Sequence, residues 1–121
     1  MSAEAWSELG DARKAAAAWE QCLEWAQAHL PPNDENEAVY AIHAAVCRLA
    51  AAATAGKKKA AKSVQQEDSD QAAALLARAR EVHEVAHGGG AAWMAIRFRK
   101  ELLEAKFFPK AAAQAWDLIS A

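Results

Sequence analysis

Residues 34–56 read "DENEAVYAIHAAVCRLAAAATAG", and this stretch decides the fold. Val39, Ile42, Val46, Leu49 and Ala53 recur at alternating spacings of three and four, the period of a helix carrying one apolar stripe. A stripe of that kind is the seam of a helical bundle. Asp34, followed three residues later by Glu37, reads as a capping box, and Gly56 is a natural stop just past the end.

Toward the N-terminus, Ser2 can cap a helix that runs to Leu30, where Pro31-Pro32 forbid continuation. Gly10-Asp11 offers a break inside it, because glycine is unfavourable in a helix and Asp11 can cap a new start. Ala16, Trp19, Leu23, Ala26 and Leu30 form its inward stripe, and Trp25 falls on a different face.

Toward the C-terminus, Lys57 to Asp70 is polar and carries no stripe, so residues 57–69 read as a flexible loop, at most partly helical. Ser69 or Asp70 then opens a third helix through His87, with Leu75, Ala79, Val82 and Ala86 facing inward and Gly88-Gly89-Gly90 ending it. A fourth is expected over residues 92–107, with Trp93, Ile96, Leu103 and Phe107 on one side and Phe98 and Leu102 on another. Pro109 suits the first turn of a short fifth, whose Ala112, Trp116 and Ile119 share a face.

Composition agrees with this pattern. Alanine runs at Ala15–Ala18, Ala50–Ala53 and Ala111–Ala113 favour helix, and strand-length clusters of β-branched residues are absent. The expectation is an all-α chain, one domain over residues 1–121, folded as an antiparallel bundle of four to five helices.

A net charge of −2 gives no overall field that favours nucleic acid. The charge is uneven, with eight acidic residues but only Arg13 and Lys14 among residues 1–37. Cys22 and Cys47 lack metal or redox spacing and read as small buried thiols. Glu4 and Glu8 interrupt any leader-like start, and no stretch nears the roughly 18 apolar residues of a membrane span. The expected location is cytoplasmic, with no membrane partner.

Residues 80–90, "REVHEVAHGGG", hold the strongest chemical motif. His83-Glu84-x-x-His87 matches the H-E-x-x-H pattern in which two histidines one helical turn apart hold zinc and the glutamate serves as base. Charged Arg80 and Glu81 precede it, Trp93 stands where a third histidine would fall, and Glu101 and Glu104 come too early for a glutamate ligand. Glu84-x-x-His87 also fits half of a di-iron site, whose second half is missing from the chain. The competing structural reading places His87 against the helix C-terminal dipole and His83 beside Leu76 at the core edge. On that balance no cofactor is expected, with zinc the one candidate.

Arg80 and His87 lie seven residues apart on the same helix, about 20° around its axis and about 10.5 Å along it. With His83 they form a basic strip able to hold a phosphate and assist metal-independent RNA cleavage. The stretches "YAIHAAVCRLAAAATAGKKK" and "DSDQAAALLARA" are similar to the second and third helices of HEPN-type domains, and "RKELLEAKFF" and "KAAAQAWDLI" to their closing helices. The resemblance spans residues 35–119. It implies a small helical bundle, often dimeric, of the kind found in toxin–antitoxin pairs and as accessory domains. Active members carry an arginine, then four to six intervening residues, then a histidine; Arg80 with His87 and Arg78 with His83 meet that spacing here. Two further helices follow the motif in this chain, and Arg97 and Arg99, nearer the family's position, have no histidine downstream. "AEAWSELGDA" at residues 3–12 is also similar to the first helix of a tetratricopeptide repeat, with Trp6 and Tyr40 offset by 34 residues, but no third copy follows.

His43 beside the seam reads as a satisfied core histidine. Lys57, Lys58, Lys59 and Lys62 form a basic patch that could touch RNA or an acidic partner, although no aromatics interleave them. Among five tryptophans, Trp19, Trp93 and Trp116 fit inward stripes, whereas Trp6 and Trp25 do not share the face of Trp19. Exposed tryptophan is enriched in interface cores, so these two are the candidate contact residues. The leading expectation is a non-enzymatic interaction module that self-associates or docks on a protein partner, compatible with an accessory role in defence or on a mobile element. The alternatives are a HEPN-type ribonuclease using Arg80 and His87, and a zinc hydrolase at His83, Glu84 and His87.

Overall fold

A computed structural model describes the backbone of residues 5–6, 9–32, 34–55, 62–87 and 108–120. Within the helices, side chains are described except at 35, 54–55, 62–65, 83–87 and 119–120. Among the described residues four long helices follow one another: α1 (Ala12–His29), α2 (Glu35–Ala55), α3 (Lys62–His87) and α4 (Pro109–Ser120). No strand occurs among the described residues, so the all-α bundle read from the sequence is the observed class. The helix expected over residues 92–107 lies outside the described residues, as do Gly56, Lys57, Lys58, Lys59 and the glycine triplet.

Each helix start has a visible cause. Gly10 sits at φ +76°, a conformation side chains disfavour, and turns the chain into Asp11. The Asp11 carboxylate accepts from the Lys14 amide at 3.1 Å and caps α1. The Asp34 carboxylate accepts from the Asn36 amide at 2.9 Å at the start of α2. The capping box is not completed, because the Glu37 side chain turns inward to Arg78 instead. Pro109 opens α4, and the Phe108 carbonyl accepts its first helical bond at 2.9 Å. Phe108 holds φ +51°, costly for a bulky residue, and its ring packs against both core clusters.

The loop expected over residues 57–69 is the main correction. α3 begins at Lys62, seven residues before Ser69, so only residues 57–61 remain outside the described helices. Among the described side chains of these turns the inward one is Asp68, buried and ion-paired, which an apolar stripe cannot reveal.

Ion pairs also fix the helix directions. Glu20 and Gln27 of α1 meet Arg48 and Glu37 of α2, so the two helices run antiparallel. Arg48 and Glu37 then meet Asp68 and Arg78 of α3, which is antiparallel to α2. Hence α1 and α3 run parallel, both docked on α2. α4 packs on α2 and α3.

The larger core cluster joins Leu23 to Ile42, Val46 and Leu49, to Leu76 and Val82, and to Ala111, Ala112 and Ala115. A smaller one gathers Ala15, Ala16 and Cys47 beneath Trp6, Trp19 and Phe108. Fifteen of the twenty-two buried apolar residues described are alanines, which let helices approach closely but bury little area apiece. The few large side chains and the buried ion pairs therefore matter more than in a leucine-rich bundle. Val39 is half-buried and Ala53 exposed, so the seam of α2 is narrower than its spacing suggested, while Ala41, Ala44 and Ala45 bury its flanks.

Candidate functional site

Arg48 is the sole Asp, Glu, Lys or Arg between Ala38 and Ala55. It stands on the α2 side that looks between α1 and α3. Its Nε and Nη2 each donate to a Glu20 carboxylate oxygen at 2.7 Å, a bidentate pair, and its Nη1 donates to Asp68 at 3.0 Å. Asp68, with a side chain 3 % exposed, also accepts from Arg13 Nη2 at 2.8 Å. One chain of charge thus ties α1, α2 and α3 together. The Glu20 hydrogen bonds, ahead of opposing desolvation and of the Asp68 bond, hold the Arg48 guanidinium above its ordinary arginine value.

About three turns of α2 away lies a second junction. Buried Glu37 accepts from Arg78 Nε at 2.9 Å and from the Gln27 amide at 3.2 Å. Arg78 also meets Glu81 at 3.2 Å one turn along α3. Its pKa is raised, chiefly by the bond to Glu37. Between the junctions runs an open groove of about 480 Å³. Glu20, Leu23, Glu24 and Gln27 form its α1 wall, Gln71, Ala74, Leu75 and Arg78 its α3 wall, and Arg48 its floor.

Two aromatic groups stand elsewhere. Trp19 stacks on His43 with centroids 4.3 Å apart and planes at 14°, and Tyr40 lies 6.1 Å away. The Trp19 indole nitrogen is buried without a hydrogen-bond partner. His43 is half-buried against this ring, in keeping with a packing role. On the solvent side of α1, Trp25 stacks on His29 with centroids 5.2 Å apart and planes at 17°. His29 Nδ1 lies 3.0 Å from the Trp25 carbonyl oxygen, which steadies the pair.

The residues singled out from sequence separate as follows. Trp25 is 53 % exposed, but Trp6 is half-buried on the smaller cluster with Lys14 Nζ 4.6 Å above its ring. Arg80 is exposed on α3. His83, Glu84 and His87 occupy the last turns of α3, and Lys62 its first residue; their side chains lie outside the described residues. No group of three or more His, Cys, Asp or Glu that could hold a metal ion occurs among the described residues. Neither Cys22 nor Cys47 is in a disulfide; the first is half-buried and the second buried. No described helix is long and apolar enough to cross a membrane.

The charge junctions and the groove were not anticipated. A lone arginine in an otherwise uncharged helical run was the available signal, because a charge there needs a partner. No family model, curated protein or solved structure matches this chain.

Proposed function

We propose that this chain is a non-enzymatic helical-bundle interaction module, associating with a protein partner or a second copy of itself through the Trp25 face of α1. The observation that carries this reading is the Trp25–His29 stack: a large indole, more than half exposed and already ordered by its neighbour. An aromatic held in place before contact loses little side-chain entropy on binding, and tryptophan is enriched among the residues that dominate interfaces. The described charged groups with buried partners are absorbed in ion pairs between helices, which supports a structural role for them.

Sedimentation across a wide concentration range, with partner capture alongside, tests the proposal. Trp25→Ala should keep the helix content and weaken association by about 2 kcal/mol, roughly 30-fold. A strict monomer at high concentration that captures no partner would refute it. The same reading expects RNA to survive incubation with the protein and untagged protein to carry no stoichiometric zinc. RNA cleavage lost in His87→Ala, or zinc lost in His83→Ala, would replace it with one of the enzymatic alternatives.

A further inference from the structure

We infer that two copies of this chain pair antiparallel through the outward side of α1, with the Trp25 indole of each copy against Lys14 of the other. This rests on the reading of the chain as an interaction module and commits its partner to a second copy.

A second stripe on α1 supplies the surface. Lys14, Ala18, Gln21, Trp25 and Ala28 follow one another at spacings of four, three, four and three, the period of a two-helix seam. At about 100° per residue they span about 80° of the helix, roughly opposite the buried Ala16, Leu23 and Ala26. Ala18 is half-buried and the other four are exposed. The alanines let a second helix come close, and Trp25 supplies the large side chain. Leu9, 65 % exposed, adds an apolar side chain just before the helix begins.

Charge selects the occupant and its direction. The charges of α1 are Arg13 and Lys14 near its start and Glu20 and Glu24 farther along. That order runs against the helix dipole, which favours acidic groups at the start and basic ones at the end. A second copy laid antiparallel brings its own carboxylates to this start. A parallel copy would set Lys14 beside Lys14 and Glu24 beside Glu24, which repel.

Charge also selects the register. With the twofold between Trp19 and Glu20, Lys14 is level with the partner's Trp25, and Ala18 with the partner's Gln21. Glu24 then falls about 1.5 Å along the axis from the level of the partner's Lys14. Arg13 lies on the same flank as Glu24, about 20° apart around the axis, and antiparallel helices bring that flank against itself. One heptad along, with the twofold at Leu23, the two Glu24 carboxylates converge and Lys14 is carried to the level of the partner's Pro32. In the selected register the Lys14 ammonium, 4.6 Å above the Trp6 ring, gains a second indole. One face of Trp25 already rests on His29, so the other receives the cation.

Sedimentation equilibrium of the full chain at low salt should show a monomer–dimer equilibrium that stops at the dimer, as a twofold contact closes on itself. Zero-length carbodiimide coupling in a mixture of isotope-labelled and unlabelled protein, read by mass spectrometry, should join Lys14 of one copy to Glu24 of the other. Glu24→Lys and Lys14→Glu should each weaken the dimer on the order of tenfold. An equal mixture of the two variants should restore it, because each lysine then faces a glutamate. Circular dichroism checks that both variants stay folded. The inference is overturned by a monomer at every concentration, by a dimer without the Lys14–Glu24 link between copies, or by a mixture no stronger than either variant alone. A monomer that still captures a partner through Trp25 overturns it while leaving the proposed function standing. A dimer indifferent to Trp25→Ala overturns both.

Discussion

α3 is held onto α2 in two different ways along its length. From Ala72 onward the inward residues are Ala72, Leu76, Ala79 and Val82, all buried in the larger core cluster. Over residues 62–70 the described inward residue is Asp68, gripped by Arg48 and Arg13. The same helix therefore docks mainly by apolar area in one half, with the Arg78–Glu37 pair beside it, and by charge alone among the described contacts of the other. Burial of area is non-directional and tolerates small shifts, whereas a charged hydrogen bond such as Arg48 Nη1 to Asp68 is directional and fixes register. An alanine-rich interface supplies little register information of its own. We attribute the alignment of α1, α2 and α3 to the Arg13–Asp68–Arg48–Glu20 chain.

Arg48→Ala should have the largest effect. That change strips Glu20 of its bidentate partner and leaves buried Asp68 facing only Arg13, itself half-exposed. Loss of one member of a buried ion pair costs about 3–5 kcal/mol. Denaturant unfolding should show this drop, with amide exchange rising first over residues 62–70. Leu76→Ala attacks the apolar half and should cost about 3 kcal/mol through lost transfer energy and the cavity left behind. Its exchange signature should fall on residues 72–82 instead. If both variants loosen the two halves equally, the distinction between charged and apolar docking is wrong.

The same distinction explains what was legible in the sequence. Apolar residues at helical spacing revealed α1 and α2 and the second half of α3, and Asp11, Pro31-Pro32 and Pro109 marked ends that the structure confirms. The start of α3 was misplaced because periodicity counts apolar residues, and Asp68 is a core residue of the opposite chemistry. The capping box at Asp34 and Glu37 failed for a related reason. A glutamate three residues past a cap can bond locally, but an arginine brought close by tertiary packing offers a stronger, charge-assisted partner. The groove was invisible for a third reason. It is formed by the gap between helices 50 residues apart, and no local pattern encodes a gap. Trp25 was readable as off the stripe, although its stacking on His29 becomes evident only with the helix in hand, four residues being one turn.

Asp68→Ala removes the other end of the same contact with less damage. Arg48 keeps both bonds to Glu20, and Arg13 can extend into water. The expected loss is about 2 kcal/mol, the scale of hydrogen bonds to charged groups, measured by the same denaturant titration. A loss equal to that of Arg48→Ala would mean that Asp68, and not the guanidinium, organises the junction.

Arg13→Ala should have the smallest effect, although its bond to Asp68, at 2.8 Å, is as short as any formed by that carboxylate. The difference lies in solvent. Arg13 is 52 % exposed, so its charge is screened and its side chain must be ordered to make the contact. Arg48 is 18 % exposed and spends no comparable freedom, since Glu20 already fixes its plane. Distance alone would rank the two arginines together; burial ranks them apart. The expected cost of Arg13→Ala is below about 1 kcal/mol and shrinks further as salt is raised. The cost of Arg48→Ala should be nearly insensitive to salt. A double-mutant cycle pairing each arginine with Asp68→Ala, run at low and high ionic strength, separates the two contributions. Should Arg13 prove as costly as Arg48, the exposed end of the charge chain carries the register of α3, and burial does not rank the two arginines.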